Sequence, residues 1–283
     1  MQTTQKSQIK TKLASFCDMA GSQNKAANKL KGVSSATISQ ILNDNWQSIT
    51  DEMWMNVGKQ IGYSSKEWNV VITENYQFLT KLLKRTSQNS NALAIIDNAG
   101  SGKSETTKQY AETNRKVYRI VCKEYWNRKE FLRALLRTLA GNPDGMNVNE
   151  MMDEIVKILK TQENPLLILD EFDKVNDQVL YFFITLYNEL EDECGILVCS
   201  TDHLEKRVTR GLRLNKKGYQ EFFSRIGRKF IKLPGVQTTD IQKICFANGI
   251  TNAKEIKEII EDSFNDLRRV KRKIQAFKND AQA

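Results

Sequence analysis

The run Asp97-Asn98-Ala99-Gly100-Ser101-Gly102-Lys103-Ser104 carries the residue types that a polyphosphate requires. Gly100 and Gly102 permit a tight turn that aims backbone N–H groups at an anion, and a helix opening at Lys103 adds the positive potential of its N-terminus. Lys103 would reach the β- and γ-phosphates, and the Ser104 hydroxyl would ligate Mg²⁺. The expected ATP-binding run is thus Asn98, Ala99, Gly100, Ser101, Gly102, Lys103, Ser104 and Glu105. Asp97 stands where such loops usually begin with glycine, at a position that starts the turn without touching phosphate. Further on, the apolar run Leu166-Leu167-Ile168-Leu169 delivers Asp170 and Glu171 to the end of a strand, where open α/β sheets bind ligands. Asp170 is expected to hold Mg²⁺, directly or through water, and Glu171 to polarise the water that attacks the γ-phosphate.

These residues need a sheet and helices to position them, and the hydrophobic spacing supplies both. Residues 92–96, 117–122, 166–169, 196–199 and 230–233 read as short strands, separated by helical patterns over 103–113, 129–139, 147–160 and 178–190. That alternation predicts an α/β fold with a parallel sheet sandwiched by helices. Beyond Thr238 the pattern is helical again, over 239–248, 253–262 and 266–277. Before the first strand, short helices are expected over 9–19, 24–30, 34–43, 50–61 and 75–84, with a hinge at 63–66. The predicted organisation is an all-α domain at 1–64, a linker at 65–74, an α/β core at 75–234 and a helical lid at 235–283.

Composition narrows the classes. The 283 residues are 40% hydrophobic and 27% charged, which disfavours disordered and fibrous chains. A spanning helix needs about 20 apolar residues, and the longest apolar runs here are far shorter. The N-terminus lacks the apolar core of a signal peptide, so a cytoplasmic protein with no membrane partner is expected. Five cysteines without CxxC spacing read as buried or reduced thiols, and a single histidine, His203, argues against a Ser-His-Asp hydrolase. The formal net charge is +9, and the stretch 204–232 holds ten basic residues against Glu205 and Glu221. That concentration favours a phosphate-facing surface. A second basic, aromatic loop follows the 117–122 strand, where Lys123, Arg128 and Lys129 could track nucleic-acid phosphates.

From about residue 75 onward the order of motifs resembles the AAA+ P-loop ATPases. The resemblance implies a polar sensor at the end of the strand after Asp170, which falls on Thr201 or Asp202. It implies an arginine finger in Phe223-Ser224-Arg225-Ile226-Gly227, with Arg225 preferred over Arg228, and hence a homo-oligomer whose ATP sites are shared between subunits. It also implies that Arg268, in Asn265-Asp266-Leu267-Arg268, approaches the nucleotide from the lid.

Residues 22–42 resemble a Cro/repressor-type helix-turn-helix, on the marks Gln23, Ala26-Ala27, Gly32-Val33-Ser34, Thr37-Ile38-Ser39 and Ile41-Leu42. That implies a face with Ser35, Thr37 and Gln40 toward a major groove and Lys29 and Lys31 near phosphate, although Lys31 adds one residue to the turn. A helix-turn-helix followed by a compact AAA+ module is similar to the phage Mu target-DNA activator (MuB)-like transposition ATPases. The similarity implies an ATP-dependent, largely sequence-nonspecific binder of double-stranded DNA that polymerises on it, as a filament or ring, and delivers it to a transposase. A helicase-loader or replication-initiator ATPase and an ATP-gated transcription regulator share the same nucleotide motifs and stay open. A metabolic kinase fits the paired acids and the helical lid less well.

Overall fold

The computed structural model describes residues 3–61, 63 and 68–280, so the hinge expected at 63–66 lies, Tyr63 apart, outside the described residues. The chain forms two compact units, Met1–Asn69 and Val70–Ala283.

The first unit is helical: α1 (Thr3–Ala20), α2 (Gln23–Lys29), α3 (Ser35–Leu42) and α4 (Asp51–Gln60), with a short 3-10 turn at Trp46–Ser48. Ser22, Ser34 and Thr50 each accept from a backbone N–H three residues on, which starts α2, α3 and α4. Ile9, Leu13, Ile38, Ile41, Trp54 and Val57 are fully buried between the helices. The helix expected from residue 9 begins instead at Thr3, and Lys6 in its polar first turns reaches Asp51 at 3.0 Å and lies over the Trp54 ring. The extra residue in the α2–α3 turn is held from α4. The Lys31 N–H donates to Gln60 Oε1 at 2.7 Å, while Gln60 Nε2 and Asn56 Nδ2 donate to the Lys31 carbonyl.

The second unit opens with α5 (Glu74–Gln88) and continues as β1 (Ala92–Ile96), α6 (Lys103–Thr113), β2 (Val117–Val121), α7 (Arg128–Thr138), α8 (Val148–Lys160), β3 (Leu166–Asp170), α9 (Asp177–Leu190), β4 (Gly195–Ser200), α10 (Asp202–Arg213), α11 (Tyr219–Arg225) and β5 (Phe230–Lys232). All pairings are parallel, and the strands lie in the order β2-β3-β4-β1-β5. Alternate residues serve opposite faces. Leu167, Leu169, Ile196 and Val198 join the core under α7, α8 and α9, whereas Leu166, Ile168, Leu197 and Cys199 pack toward Leu79 and Leu83 of α5. The register brings Ile96 beside Ser200 and Val121 beside Asp170, so the carboxyl ends of four strands meet on one edge. The C-terminal helices α12 (Thr238–Ala247), α13 (Ala253–Ser263) and α14 (Leu267–Asp280) bury Ile241, Ile244, Ile256, Ile259, Val270 and Ile274. No helix among the described residues is long and apolar enough to cross a membrane. All five cysteines are buried and unbridged, and burial pushes the Cys194 thiol up to about 12.

The basic stretch expected to face phosphate is largely folded into α10, α11 and β5, and part of its charge is spent inside the unit. Arg207 donates to Asp177 Oδ1 at 2.5 Å, to the Tyr219 hydroxyl at 3.0 Å and to the Val175 carbonyl at 2.5 Å, and Tyr219 itself donates to Asp177 at 2.8 Å. Lys206 pairs with Asp202, and Lys232 lies 3.9 Å from Glu205. Burial alone would raise the Asp177 carboxyl, but the hydrogen bonds from Tyr219 and Arg207 outweigh it and hold the group below the usual aspartate range. Asp177→Asn is therefore expected to cost about 1–2 kcal/mol of unfolding free energy at pH 7, because charge-assisted bonds to a half-exposed group are lost. The Asp177 contribution is present above the unfolded aspartate value, about 3.9, and lost as pH falls through the lower folded value. Urea midpoints of wild type and Asp177→Asn should thus converge below about pH 4.

Candidate active site

The β1–α6 loop turns through two residues in the left-handed region, Gly100 at φ +82° and Gly102 at φ +94°. Gly102 caps α6 with no side chain, which leaves the first-turn amides of the helix to an outside acceptor. Asp97 needs no glycine, having no positive φ; its Oδ1 instead accepts from the Asn98 N–H at 2.7 Å and its own N–H donates to the Ser200 carbonyl. Asp97 Oδ2 is buried without a hydrogen-bond partner. Lys103, 8% exposed, donates from Nζ to the carbonyls of Asp97 at 2.8 Å and Asn98 at 3.0 Å and to Ser101 Oγ at 3.1 Å. Burial pushes this amine below the ordinary lysine range, against the pull of Asp97, Asp170 and Asp173. Buried Asn75 of α5 donates to the Ser101 carbonyl at 3.0 Å and accepts from the Gly235 N–H at 2.9 Å, fixing the loop from behind.

Asp170 ends β3 at 2% exposure. Its Oδ2 accepts from Arg119 Nη2 at 2.6 Å and its Oδ1 from the Glu171 N–H at 2.9 Å. Glu171 sits at φ +56°, and its carboxylate is held by Lys174 at 2.5 Å, a bond that raises the Lys174 amine. Of the two sensor candidates, Thr201 donates to Asp173 Oδ2 at 2.7 Å, next to the β3 end, whereas Asp202 turns to Lys206 on α10. A buried amine with uncapped helix amides suits a polyphosphate, and Ser104 with Asp170 offers the hard oxygen donors that Mg²⁺ takes, so the donor set fits a magnesium nucleotide.

The first turn of α14 lies on the loop. The Leu267 N–H donates to the Gly100 carbonyl at 2.9 Å, and a Cβ built on Gly100 would stand 1.9 Å from Asp266 Oδ1. Arg268 is exposed, its N–H donating to Asp266 Oδ1 at 2.8 Å. Arg225 folds back on α9, donating to Asn188 Oδ1 at 3.0 Å and lying over the Tyr187 ring, while Arg228 is exposed at φ +55°.

Among the nucleic-acid candidates of the second unit, Lys123 lies over the rings of Tyr125 and Trp126, Arg128 over Phe182, and Lys129 is exposed. In the first unit Lys29, Lys31, Ser35 and Gln40 are exposed; Thr37 is half-buried and shares a 2.9 Å hydrogen bond with Ser34 Oγ. Sequence reasoning missed Asn75, Arg119 and the Asp266–Gly100 contact. Arg119 left one signal, a lone charge inside the apolar strand Val117–Val121.

The profile of the family described as AAA domain matches residues 84–208. The search of curated proteins found no match. Among solved structures, Cdc6p from Pyrobaculum aerophilum is similar with a TM-score of 0.53 at 16% identity, over 75% of this chain and 62% of that one. A structure described as a DNA replication initiation factor is similar with a TM-score of 0.48 at 18% identity, over 74% of this chain and 63% of that one. The chain thus spans 62% and 63% of the lengths of those structures, less than two thirds. The fold is an α/β fold like that of AAA+ P-loop ATPases: a five-stranded parallel sheet flanked by helices, with a C-terminal helical region.

Gly100 tests the loop. Gly100→Ala is expected to lower unfolding free energy by about 1–3 kcal/mol, from the positive φ and the collision with Asp266. Adding Asp266→Ala should recover the collision part only, which a urea double-mutant cycle reads directly.

Proposed function

We propose that the second unit binds ATP with Mg²⁺ and hydrolyses it, and that the nucleotide state governs the protein's hold on duplex DNA. The observation that carries this reading is the buried Lys103 amine at the base of an uncapped helix, with Asp170 and Glu171 at the carboxyl end of β3 in the same sheet. Mg²⁺, when bound, supplies charge neutralisation to the phosphates. Lys103 and the amides of Gly100, Ser101, Gly102 and Ser104 bind the phosphate chain, with Asn98, Ala99 and Glu105 bordering it; Ser104 and Asp170 hold the metal. Glu171 accepts the proton of the attacking water, which requires it to leave Lys174. Thr201 orients on that side of the site, Arg268 reaches in from α14, and Arg225, released from Asn188, serves the site of a neighbouring subunit.

For DNA, α2 and α3 are the proposed helix-turn-helix, with Ser35, Thr37 and Gln40 toward the groove and Lys29 and Lys31 toward phosphate; Lys123, Arg128 and Lys129 make contacts from the ATPase body. With a compact lid behind the AAA segment, we favour a target-DNA activator of the MuB-like kind, assembling on DNA and delivering it to a transposase. An initiator- or loader-type ATPase is the second reading, since the fold shared with Cdc6p accommodates it with the same nucleotide residues.

The deciding measurement is binding of the full chain to random-sequence duplex DNA with ATP and Mg²⁺, with ADP, and without nucleotide, across salt. Cooperative, salt-sensitive binding with ATP alone is the expected result. Nucleotide-independent binding confined to one sequence would replace this reading with the initiator or regulator. Lys103→Ala should lose ATP binding, and Glu171→Gln should retain it while losing turnover by at least about 100-fold. Wild-type kcat in Glu171→Gln would remove that residue from its role.

A further inference from the structure

We propose that Arg119 is an internal counter-cation for Asp170: it holds the carboxylate while the site is without metal and competes with a divalent cation for it. The inference rests on the reading of Asp170 as a metal-holding residue.

The pairing follows from the register. Val121 lies beside Asp170 and Arg119 beside Ile168, so Arg119 starts one side-chain repeat behind the carboxylate on the adjacent strand. Val117 and Ile168 pack in the core on the α5 side, and the period-2 alternation places Arg119 and Asp170 on that same face of the sheet. From there the guanidinium forks. Nη2 donates to Asp170 Oδ2 at 2.6 Å, and Nε donates to Thr107 Oγ1 at 3.0 Å. The Thr107 hydroxyl in turn donates to the Lys103 carbonyl at 3.0 Å, within the turn of α6 that carries Lys103 and Ser104. Arg119 therefore ties together the two elements that supply the proposed metal donors.

The charge arithmetic gives the tie a function. Asp170 is 2% exposed and Arg119 17% exposed, so this is a desolvated pair, in which removal of one partner strands the other. Both Asp170 oxygens are already satisfied, one by Arg119 and one by the Glu171 N–H. The carboxylate thus costs little to keep in a metal-free site. A divalent cation arriving at Asp170 meets the guanidinium's charge a few ångströms away and must share the carboxylate or displace Arg119. Arg119 is a positioning residue that sets how tightly the metal is held and how readily it leaves.

The test is Mn²⁺ binding to the full chain at saturating ADP, read by electron paramagnetic resonance, together with thermal unfolding without metal. Arg119→Met keeps an unbranched, largely apolar stem and removes the guanidinium with its charge. It is expected to tighten Mn²⁺ binding roughly tenfold and to lower the metal-free melting temperature, a loss that Mn²⁺ restores. Adding Asp170→Asn should abolish the gain in affinity and recover metal-free stability. Arg119→Lys, which keeps the charge, should bind Mn²⁺ close to wild type, an outcome that a purely structural role for the guanidinium fork does not give. If Arg119→Met does not fold, Arg119→Gln removes the charge while keeping an amide donor on the side chain, and should likewise tighten Mn²⁺ binding. Unchanged or weaker Mn²⁺ affinity in folded Arg119→Met, or in Arg119→Gln where it must stand in, overturns the proposal alone. Failure of wild type to bind Mn²⁺ with ADP overturns the metal reading of the site and the proposal together.

Discussion

Two opposite charges, Lys103 at 8% exposure and Asp170 at 2%, are buried at the carboxyl edge of the sheet, and much of the second unit serves to keep them there. A buried ion is tolerable only when its lone pairs and protons are met. Lys103 spends three donors on the loop it anchors, and Asp170 spends both oxygens on Arg119 and the Glu171 amide. These bonds require the β1 loop, α6, β2 and β3 to stand in one arrangement. The fully buried residues of β3 and β4 behind them make that arrangement rigid. These side chains are therefore held in place by the protein's own groups before any ligand arrives.

What could be read from the sequence was local. The glycine spacing of the loop, the lysine opening a helix and the acidic pair after four apolar residues are contiguous, and the structure places each at the strand or helix end expected for it. The alternation of strands and helices likewise carries the parallel sheet. The strand order and the contacts that complete the site join residues far apart in the chain. Asn75 meets Ser101 and Gly235, and Arg119 meets Asp170, pairings that no periodicity encodes. In α10 the buried Leu204, Val208 and Gly211 do carry helical spacing, but the surrounding basic residues dominate the pattern, and the acceptors Asp177 and Tyr219 that absorb Arg207 lie on other elements.

The C-terminal helices and the β1–α6 loop share a backbone hydrogen bond. The Leu267 N–H donates to the Gly100 carbonyl, and the Asp266 carboxylate lies where a side chain on Gly100 would stand. A second link runs through α5: buried Asp240 of α12 accepts from the Glu74 N–H, and the next residue, Asn75, bonds both Ser101 and Gly235. The C-terminal helices are thus tied to the β1–α6 loop directly and through the first turn of α5. The Asp266 carboxylate would be a like charge beside any anion that the proposed reading seats on that loop. Displacing α14 would break the Gly100–Leu267 bond, so a partner that binds one position of α14 better than another would change the loop's affinity for its own ligand, and that ligand would change the partner's affinity by the same factor.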